Sequence, residues 1–436
     1  MLGLFYFYTM NIETLYEIYK THSSVCTDTR KLKKNDIYFA LKGDNFDGNK
    51  FAEKALKQGA SYCVIDDESL KDKSEYFVLV DDTLKTLQEL ANYHRNTFSF
   101  PIIALTGSNG KTTTKELIYT VLETHYNVNA TKGNLNNHIG VPLTLLSFTN
   151  DLDFGIVEMG ANHQKEIAFL ASIAEPDFGL ITNFGKAHLE GFGGVDGVIK
   201  GKSELYDYLK QNSKTAFINT DDEKQIQQIS NYESISTFGK NASNDCQVKF
   251  IDANPFVELD YGDSTIKSQL IGRYNFGNIA VAIAIGKYFD VPFDKIKKGI
   301  EAYRPDNNRS EIKHIGSNQI ILDAYNANPT SMIAALENFR ALSSNNKVLF
   351  LGDMFELGES AETEHQNIVD FVEARFENHI YLIGENFYKT NTKITTKKFS
   401  SFEELKHHLE DTTISNSDIL IKGSRGMALE RILEIL

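Results

Sequence analysis

The sequence predicts an α/β protein of three successive segments, and three observations carry that reading. Short, near-continuous apolar runs alternate with stretches of helical apolar spacing, the pattern of a parallel sheet covered by helices. One such run, PIIAL at 101–105, leads into TGSNGKTT at 106–113, a glycine-rich turn that opens a helix. From residue 309 onward, three further runs each end in a glycine, at Gly352, Gly384 and Gly423.

The elements follow in chain order. The chain opens MLGLFYFYTMNIETL, and its apolar stretch at 2–8 is too short for a spanning helix, has no basic start and lacks a cleavage site. Met10 begins what reads as a natural opening helix, so residues 1–9 read as an extension from an upstream start codon. IYFALKG (37–43), SYCVIDD (61–67) and YFVLV (76–80) read as strands, with helices near 50–59 and 83–97. These form a first domain, 1–98, and SFP (99–101) is its linker to the next. A second domain, 99–308, holds the glycine-rich turn and the strands GIVEMG (155–160), FGLITN (178–183) and TAFINT (215–220). The polar stretch 225–270 suggests a small antiparallel extension, and 276–289 reads as a helix. A third domain, 309–436, alternates VLFLGD, IYLIGE and ILIKGS with helices near 331–342, 363–377, 402–409 and 426–436. That grammar is a small doubly wound sheet, whose ligands approach the carboxyl ends of its strands.

Composition limits the function. The chain has 436 residues, 41% hydrophobic and 24% charged, ordinary for a soluble globular protein of roughly two to four domains. A net charge of −14 argues against a nucleic-acid or anionic-membrane surface. Cys26, Cys63 and Cys246 have no paired spacing, which fits reduced thiols in a cytoplasmic protein. There is no sequence repeat and no low-complexity tract.

The turn at 106–113 is a phosphate cradle. Its glycines let backbone N–H groups approach an anion, and the following helix adds the partial positive charge of its N-terminus. Lys111 can reach terminal phosphates and the Thr112 hydroxyl can ligate magnesium. The usual phosphate loop has one more glycine where this chain has Leu105, so the loop is a shortened form. Glu158, at the end of its strand, can hold magnesium with Thr112. His188 lies just beyond FGLITNFGKA; imidazole is an uncommon magnesium ligand, so a metal there needs an anionic partner too. A lysine ammonium repels a cation, and joins a metal site only as a neutral amine or, after taking up CO2, as an anionic carbamate. Lys202 and Lys200 are equally good candidates on these grounds, and a solvated helix lysine is the plain alternative for both. Asn278 could pair with an adenine edge or serve a turn, and Arg309 could clamp a phosphate. ILDAYNANP (321–329) adds Asp323 near the same junction.

Together these residues resemble the Mur ligase family, ATP-dependent enzymes that form amide bonds in peptidoglycan precursors. The likeness spans nearly the whole chain after Met10. GSNGKT, EMG and AHLEGFG are similar to the family's loop, carboxylate and histidine segments, with Ser108 in place of the usual Thr. TKGNLNNHIGVPLTLL (131–146), LDAYNANPTSM, LGDMFELG and KGSRGMALE resemble the branch that adds D-alanyl-D-alanine. TDTRKLKKNDIYFALKGDNFDGNKF (27–51) resembles its UDP-sugar-binding domain. Two departures are mild: GRYN for the more frequent Gly-Arg-His-Asn, and Asp353 where Glu is common.

The resemblance implies a UDP-binding α/β domain, a central ATPase domain with a mostly parallel sheet and a C-terminal Rossmann-like domain. It implies joining of D-Ala-D-Ala to UDP-N-acetylmuramoyl-tripeptide through an acyl phosphate, with ATP and two magnesium ions, in a cytoplasmic monomer. Thr106, Gly107, Ser108, Asn109, Gly110, Lys111, Thr112 and Thr113 would hold ATP. Thr112 and Glu158 would hold the first magnesium, and His188 and a carbamylated Lys202 the second. Lys202 is preferred here because the family pattern Lys-x-Glu is met by Lys202 and Glu204. Asn278 would lie near adenine, Arg309 and Asp323 would face the nucleotide, and Thr29, Arg30, Lys42, Gly43, Asn136 and Asn137 would meet the UDP-muramoyl substrate. The C-terminal domain would close over the site as a lid. Two other readings remain: a sibling ligase of different amine specificity, and a phosphate-loop kinase or nucleotide-gated switch that forms no amide bond.

Overall fold

Strand and helix alternate through the chain in the order the apolar pattern predicts, and the short strands collect into sheets that are mostly parallel. The computed structural model describes residues 11–22, 24–306, 308–343, 346–377 and 379–436. The expected extension at 1–9 lies outside the described residues. Among those described, no helix is long and apolar enough to cross a membrane.

Two compact units are present. The first comprises the described residues up to Ala104, with Asn127–Gly160 and Ala168–Phe178. Its opening helix, Ile12–Lys20, is capped by Asn11, whose side chain accepts the Thr14 N–H at 2.9 Å. Four parallel strands follow in the order Val25–Cys26, Ile37–Phe39, Tyr62–Ile65 and Phe77–Leu79. Tyr38, Ala40, Cys63 and Ile65 form the core of this sheet. The expected strand 37–43 breaks after Phe39, because Lys42–Gly43 turns off into a two-stranded hairpin with Phe46–Asp47. The helix Thr83–Arg95 begins at Asp82 and ends on a buried guanidinium. Arg95 pairs with Asp177 at 2.8 Å and donates to the Ala174 carbonyl at 3.0 Å. The same unit holds the parallel pair Val128–Ala130 and Phe154–Glu158.

The second unit comprises Leu105–Tyr126, Ala161–Ile167 and Gly179–Leu436. The strand Ile102–Thr106 enters it and meets the strand Phe178–Ile181, where Thr182 N donates to Thr106 O at 2.9 Å. Thr215–Asn219 and Ile235–Gly239 pair in parallel. The antiparallel extension occupies Cys246–Ala253, Phe256–Tyr261 and Ser264–Ile271, while 225–239 instead forms the end of a helix and a parallel strand. A six-stranded sheet closes the chain, in the order Glu311–Ile315, Asn318–Asp323, Asp418–Lys422, Lys347–Gly352, Ile380–Ile383 and Thr396–Phe399. Only the first pair is antiparallel. The helix expected over 426–436 is two 3-10 pieces, Arg425–Met427 and Leu429–Glu434. Ala428 between them is left-handed, at φ +48°, and cannot continue an α-helix.

Candidate active site

The phosphate loop is braced by hydrogen bonds with the segment 182–185. Its strand is buried at all five positions and its helix runs Lys111–Leu122. Gly107 has φ +145°, and a Cβ there would sit 2.0 Å from Thr182 Oγ1. That hydroxyl donates to Asn109 O at 2.6 Å, and Asn183 Nδ2 donates to the same oxygen at 3.0 Å. Ser108 donates from its backbone to Asn183 O at 3.0 Å and from its hydroxyl to Gly185 O at 2.8 Å. Residues 182–185 therefore form a cradle that holds the loop open from below. Lys111 folds back onto the loop, its Nζ 2.8 Å from Gly107 O. Thr106, Thr112 and Thr113 are buried at the loop's base. Asn278 packs against Gly110, whose φ is +78°, and donates to Asn275 Oδ1 at 2.9 Å. On the other side, Asn328 Nδ2 donates to Asn109 Oδ1 at 2.7 Å.

In the first unit, Glu158 ends its strand 1% exposed. Asn136 Nδ2 donates to its Oε1 at 2.8 Å, and Gly160 N donates to Asn136 O at 2.7 Å. Oε2 is buried with no hydrogen-bond partner. A buried carboxylate oxygen left unpaired is costly, so the position fits a cation better than a structural cap. Asn137 turns the chain instead, its Oδ1 accepting Gly140 N at 2.9 Å. Arg30 is exposed and forks onto Asp28, with Nη2 2.8 Å from Oδ2, and holds that carboxyl down at about 2. Thr29 lies in the same loop, half-buried. Lys42 reaches Asp66 Oδ1 at 2.9 Å, and Gly43 beside it has open space where a Cβ would be.

In the second unit, burial separates the two lysines that spacing left equal. Both lie on the helix Val195–Gln211, but Lys200 is exposed and Lys202 is 0% exposed. Lys202 Nζ donates to Ala161 O at 3.0 Å and lies 4.9 Å from the Phe192 ring centre. Burial, and next the nearby Lys111 charge, push its amine well below the ordinary lysine range, against the opposing pull of Glu166 and Glu204. His188 stands at φ +52° before a short helix, and its Nδ1 lies 2.5 Å from Glu356 Oε2. The approach is bent away from the ring N–H direction, since Nδ1 has no partner of hydrogen-bond geometry. The imidazole contact holds the Glu356 carboxyl below its usual range. Arg309 stacks over the Tyr325 ring at 3.6 Å with its Nε unpartnered. Asp323 pairs with the buried Lys422 at 2.5 Å and accepts Ser310 N at 3.2 Å.

Among the described residues, no group of three His, Cys, Asp or Glu converges to hold a metal unaided. A magnesium ion is commonly held by one or two carboxylates, water and substrate phosphates. The orphaned oxygen of Glu158 is the observation that fits it. Sequence reading missed the cradle at Thr182 and Asn183, the Asn328 tie and Glu356. The last two lie in the segments LDAYNANPTSM and LGDMFELG, but nothing in those segments names Asn109 or His188 as their partners.

Comparison with known proteins agrees along the chain. The Mur ligase family catalytic domain matches residues 21–95, the Mur ligase middle domain 105–286, and the Mur ligase glutamate ligase domain 308–425. UDP-N-acetylmuramoyl-tripeptide–D-alanyl-D-alanine ligase of Bacillus subtilis (strain 168) is 34% identical over 426 residues, covering 94% of this chain and 92% of that protein. The protein of the same name from Escherichia coli (strain K12) is 33% identical, covering 95% and 94%. The fold superposes on MurF from Acinetobacter baumannii with a TM-score of 0.83 at 30% identity, covering 94% of this chain and 92% of that one. MurF ligase from Thermotoga maritima, solved in complex with ADP, gives 0.84 at 26% identity, covering 96% and 97%. The chain belongs to the Mur ligase family.

Proposed function

We propose that this chain joins D-alanyl-D-alanine to UDP-N-acetylmuramoyl-tripeptide and converts ATP to ADP and phosphate, giving UDP-N-acetylmuramoyl-pentapeptide in the cytoplasm. The observation that carries this reading is the near full-length likeness to relatives of that name. The braced phosphate loop adds to it. The working domains are taken as 1–98 for the UDP-sugar, 99–308 for ATP and 309–436 for the ligase lid, in a monomer.

A peptide carboxylate is a poor electrophile because its charge repels an amine. Moving the γ-phosphoryl group of ATP onto it makes an acyl phosphate with a good leaving group. The loop amides from Thr106 to Thr113, with Lys111, bind and orient the phosphates. Thr112 and Glu158 are the residues to hold one magnesium ion, and His188 with a carbamylated Lys202 the other. Magnesium so held would screen the approaching anions and stabilise charge on the transferring group. Lys202 supports its part through a burial that disfavours the charged amine: from the neutral form the nitrogen lone pair would attack CO2, a proton would leave, and an anionic carbamate would remain. Asn278, against Gly110, is assigned to the adenine side. Arg309, with an unpartnered Nε, and Asp323 are assigned to the nucleotide from the C-terminal segment.

The neutral amine of D-Ala-D-Ala then attacks the acyl carbon and gives up a proton to solvent, and the tetrahedral intermediate collapses to amide and phosphate. Asn136 both meets the UDP-muramoyl substrate and aligns Glu158, and Asn137 shapes the segment beside it. Thr29, Arg30, Lys42 and Gly43 are assigned to the same substrate. The ion pairs of Arg30 with Asp28 and Lys42 with Asp66 keep both cations where an anion could replace the carboxylate. Incubation with UDP-N-acetylmuramoyl-tripeptide, ATP, magnesium and D-Ala-D-Ala should give a product heavier by one dipeptide unit. A product formed only with a different amine would move the chain to a sibling activity.

A further inference from the structure

We infer that Glu356 is a positioning residue that fixes the ring of His188, taking the Nδ1–H and leaving Nε2 as the nitrogen available to a ligand. The inference rests on the reading above that His188 attends a metal. An imidazole that ligates through one nitrogen usually gives its other N–H to a carboxylate or carbonyl, which sets tautomer and ring orientation. In this chain Glu356 lies within reach of Nδ1, with Oε2 at 2.5 Å.

The segment that carries Glu356 is built to deliver it. Asp353 accepts the Asn386 and Phe387 amides at 2.9 Å each, Met354 N donates to His365 Nε2 at 3.0 Å, and Phe355 N donates to Ser424 Oγ at 2.9 Å. Glu356 itself stands at φ +62°, a left-handed conformation that a residue with a Cβ adopts only where its surroundings hold it. Its carbonyl accepts Glu190 N at 3.2 Å, so the backbone is tied to the histidine segment apart from the side chain. A Cβ on Gly358 would lie 3.2 Å from Glu190 Cβ, which shows how closely the two segments meet. Two non-glycine residues in left-handed backbone thus face each other across one contact. The approach is bent, as catalytic hydrogen bonds often are before substrates tighten a site.

The test uses the full chain with 15N-labelled histidine, and Glu356→Ala, Glu356→Gln and His188→Ala variants. In the parent, the His188 ring shifts, assigned by their loss in His188→Ala, should report the Nδ1–H tautomer. Glu356→Ala should move His188 toward the Nε2–H form, and Glu356→Gln, which keeps an acceptor oxygen, should retain much of the parent signal. Manganese, titrated as a paramagnetic stand-in with an imido analogue of ATP, should bind about 10- to 100-fold more weakly to Glu356→Ala. An unchanged tautomer in Glu356→Ala overturns the assignment. A switched tautomer with manganese affinity unchanged in His188→Ala overturns instead the metal-ligand reading on which it rests.

Discussion

Replacing Glu158 by glutamine should strengthen the ligand-free protein and weaken the working one. The carboxylate is 1% exposed, with Oε1 bonded to Asn136 at 2.8 Å and Oε2 buried without a partner. An orphaned neutral polar group costs about 1–3 kcal/mol, and a charged one costs more. Glutamine keeps the volume and the Asn136 bond and exchanges the charged orphan for a neutral one, a gain of about 1 kcal/mol or more. In a cooperative unit of about 150–250 residues that raises the melting midpoint by about 2–4 °C. Ligand reverses the order. At a magnesium and ATP-analogue concentration of about 100 times the parent's Kd, the parent gains about 2.7 kcal/mol, while a variant binding about 100-fold more weakly gains about 0.4. The two melting curves should therefore exchange rank as ligand is added, and ligase turnover should fall at least ~100-fold. Scanning calorimetry with and without magnesium and the imido analogue reads both effects. A variant no more stable than the parent, and shifted as far by ligand, would make Glu158 a structural residue and not a cation ligand.

Three further outcomes follow from the same geometry. Lys202→Met fills the buried space and removes an amine that burial disfavours, so it should melt no lower than the parent yet lose ligase activity; native mass measurement should find the parent, and not the variant, heavier by one CO2 per chain. Gly107→Ala forces a Cβ to 2.0 Å from Thr182 Oγ1 at φ +145°, costing about 2–4 kcal/mol and abolishing nucleotide binding by calorimetry. His365 is pushed below its ordinary value by burial, against the Ala361 carbonyl, Asp353 and Glu364, and its Nε2 accepts Met354 N. The unfolded chain then binds more protons below about pH 6.5, so the residue's contribution is intact above that value and lost as pH falls through the folded pKa. In urea melts, the stability difference between parent and His365→Asn should be largest at neutral pH and shrink below about 6.5, with a slope of at most about 1.4 kcal/mol per pH unit.

What could be read in advance was local. The strand, TGSNGKTT and helix sequence announces a phosphate loop because the three parts adjoin in the chain. The strand-to-glycine runs at 352, 384 and 423 likewise mark three strands of the last sheet. Glu311–Ile315 and Thr396–Phe399 escaped notice as edge strands, half open to solvent and without continuous apolar runs. The 426–436 helix failed because its apolar spacing is helical while Ala428 is not. Lys202 and Lys200 sit two positions apart, and which one is buried depends on packing against Ala161 and Phe192. Glu356 is far from His188 in sequence, so only the fold could bring a carboxylate to that ring.

The chain couples ATP cleavage to an amide bond between two particular partners. Phosphate release should be measured with UDP-N-acetylmuramoyl-tripeptide and D-Ala-D-Ala, each alone and together, at saturating magnesium and ATP. Sustained release is expected only when both are present, with one pentapeptide product formed per phosphate. Steady release with neither, or release matched to a phosphorylated substrate and no new amide, would contradict it.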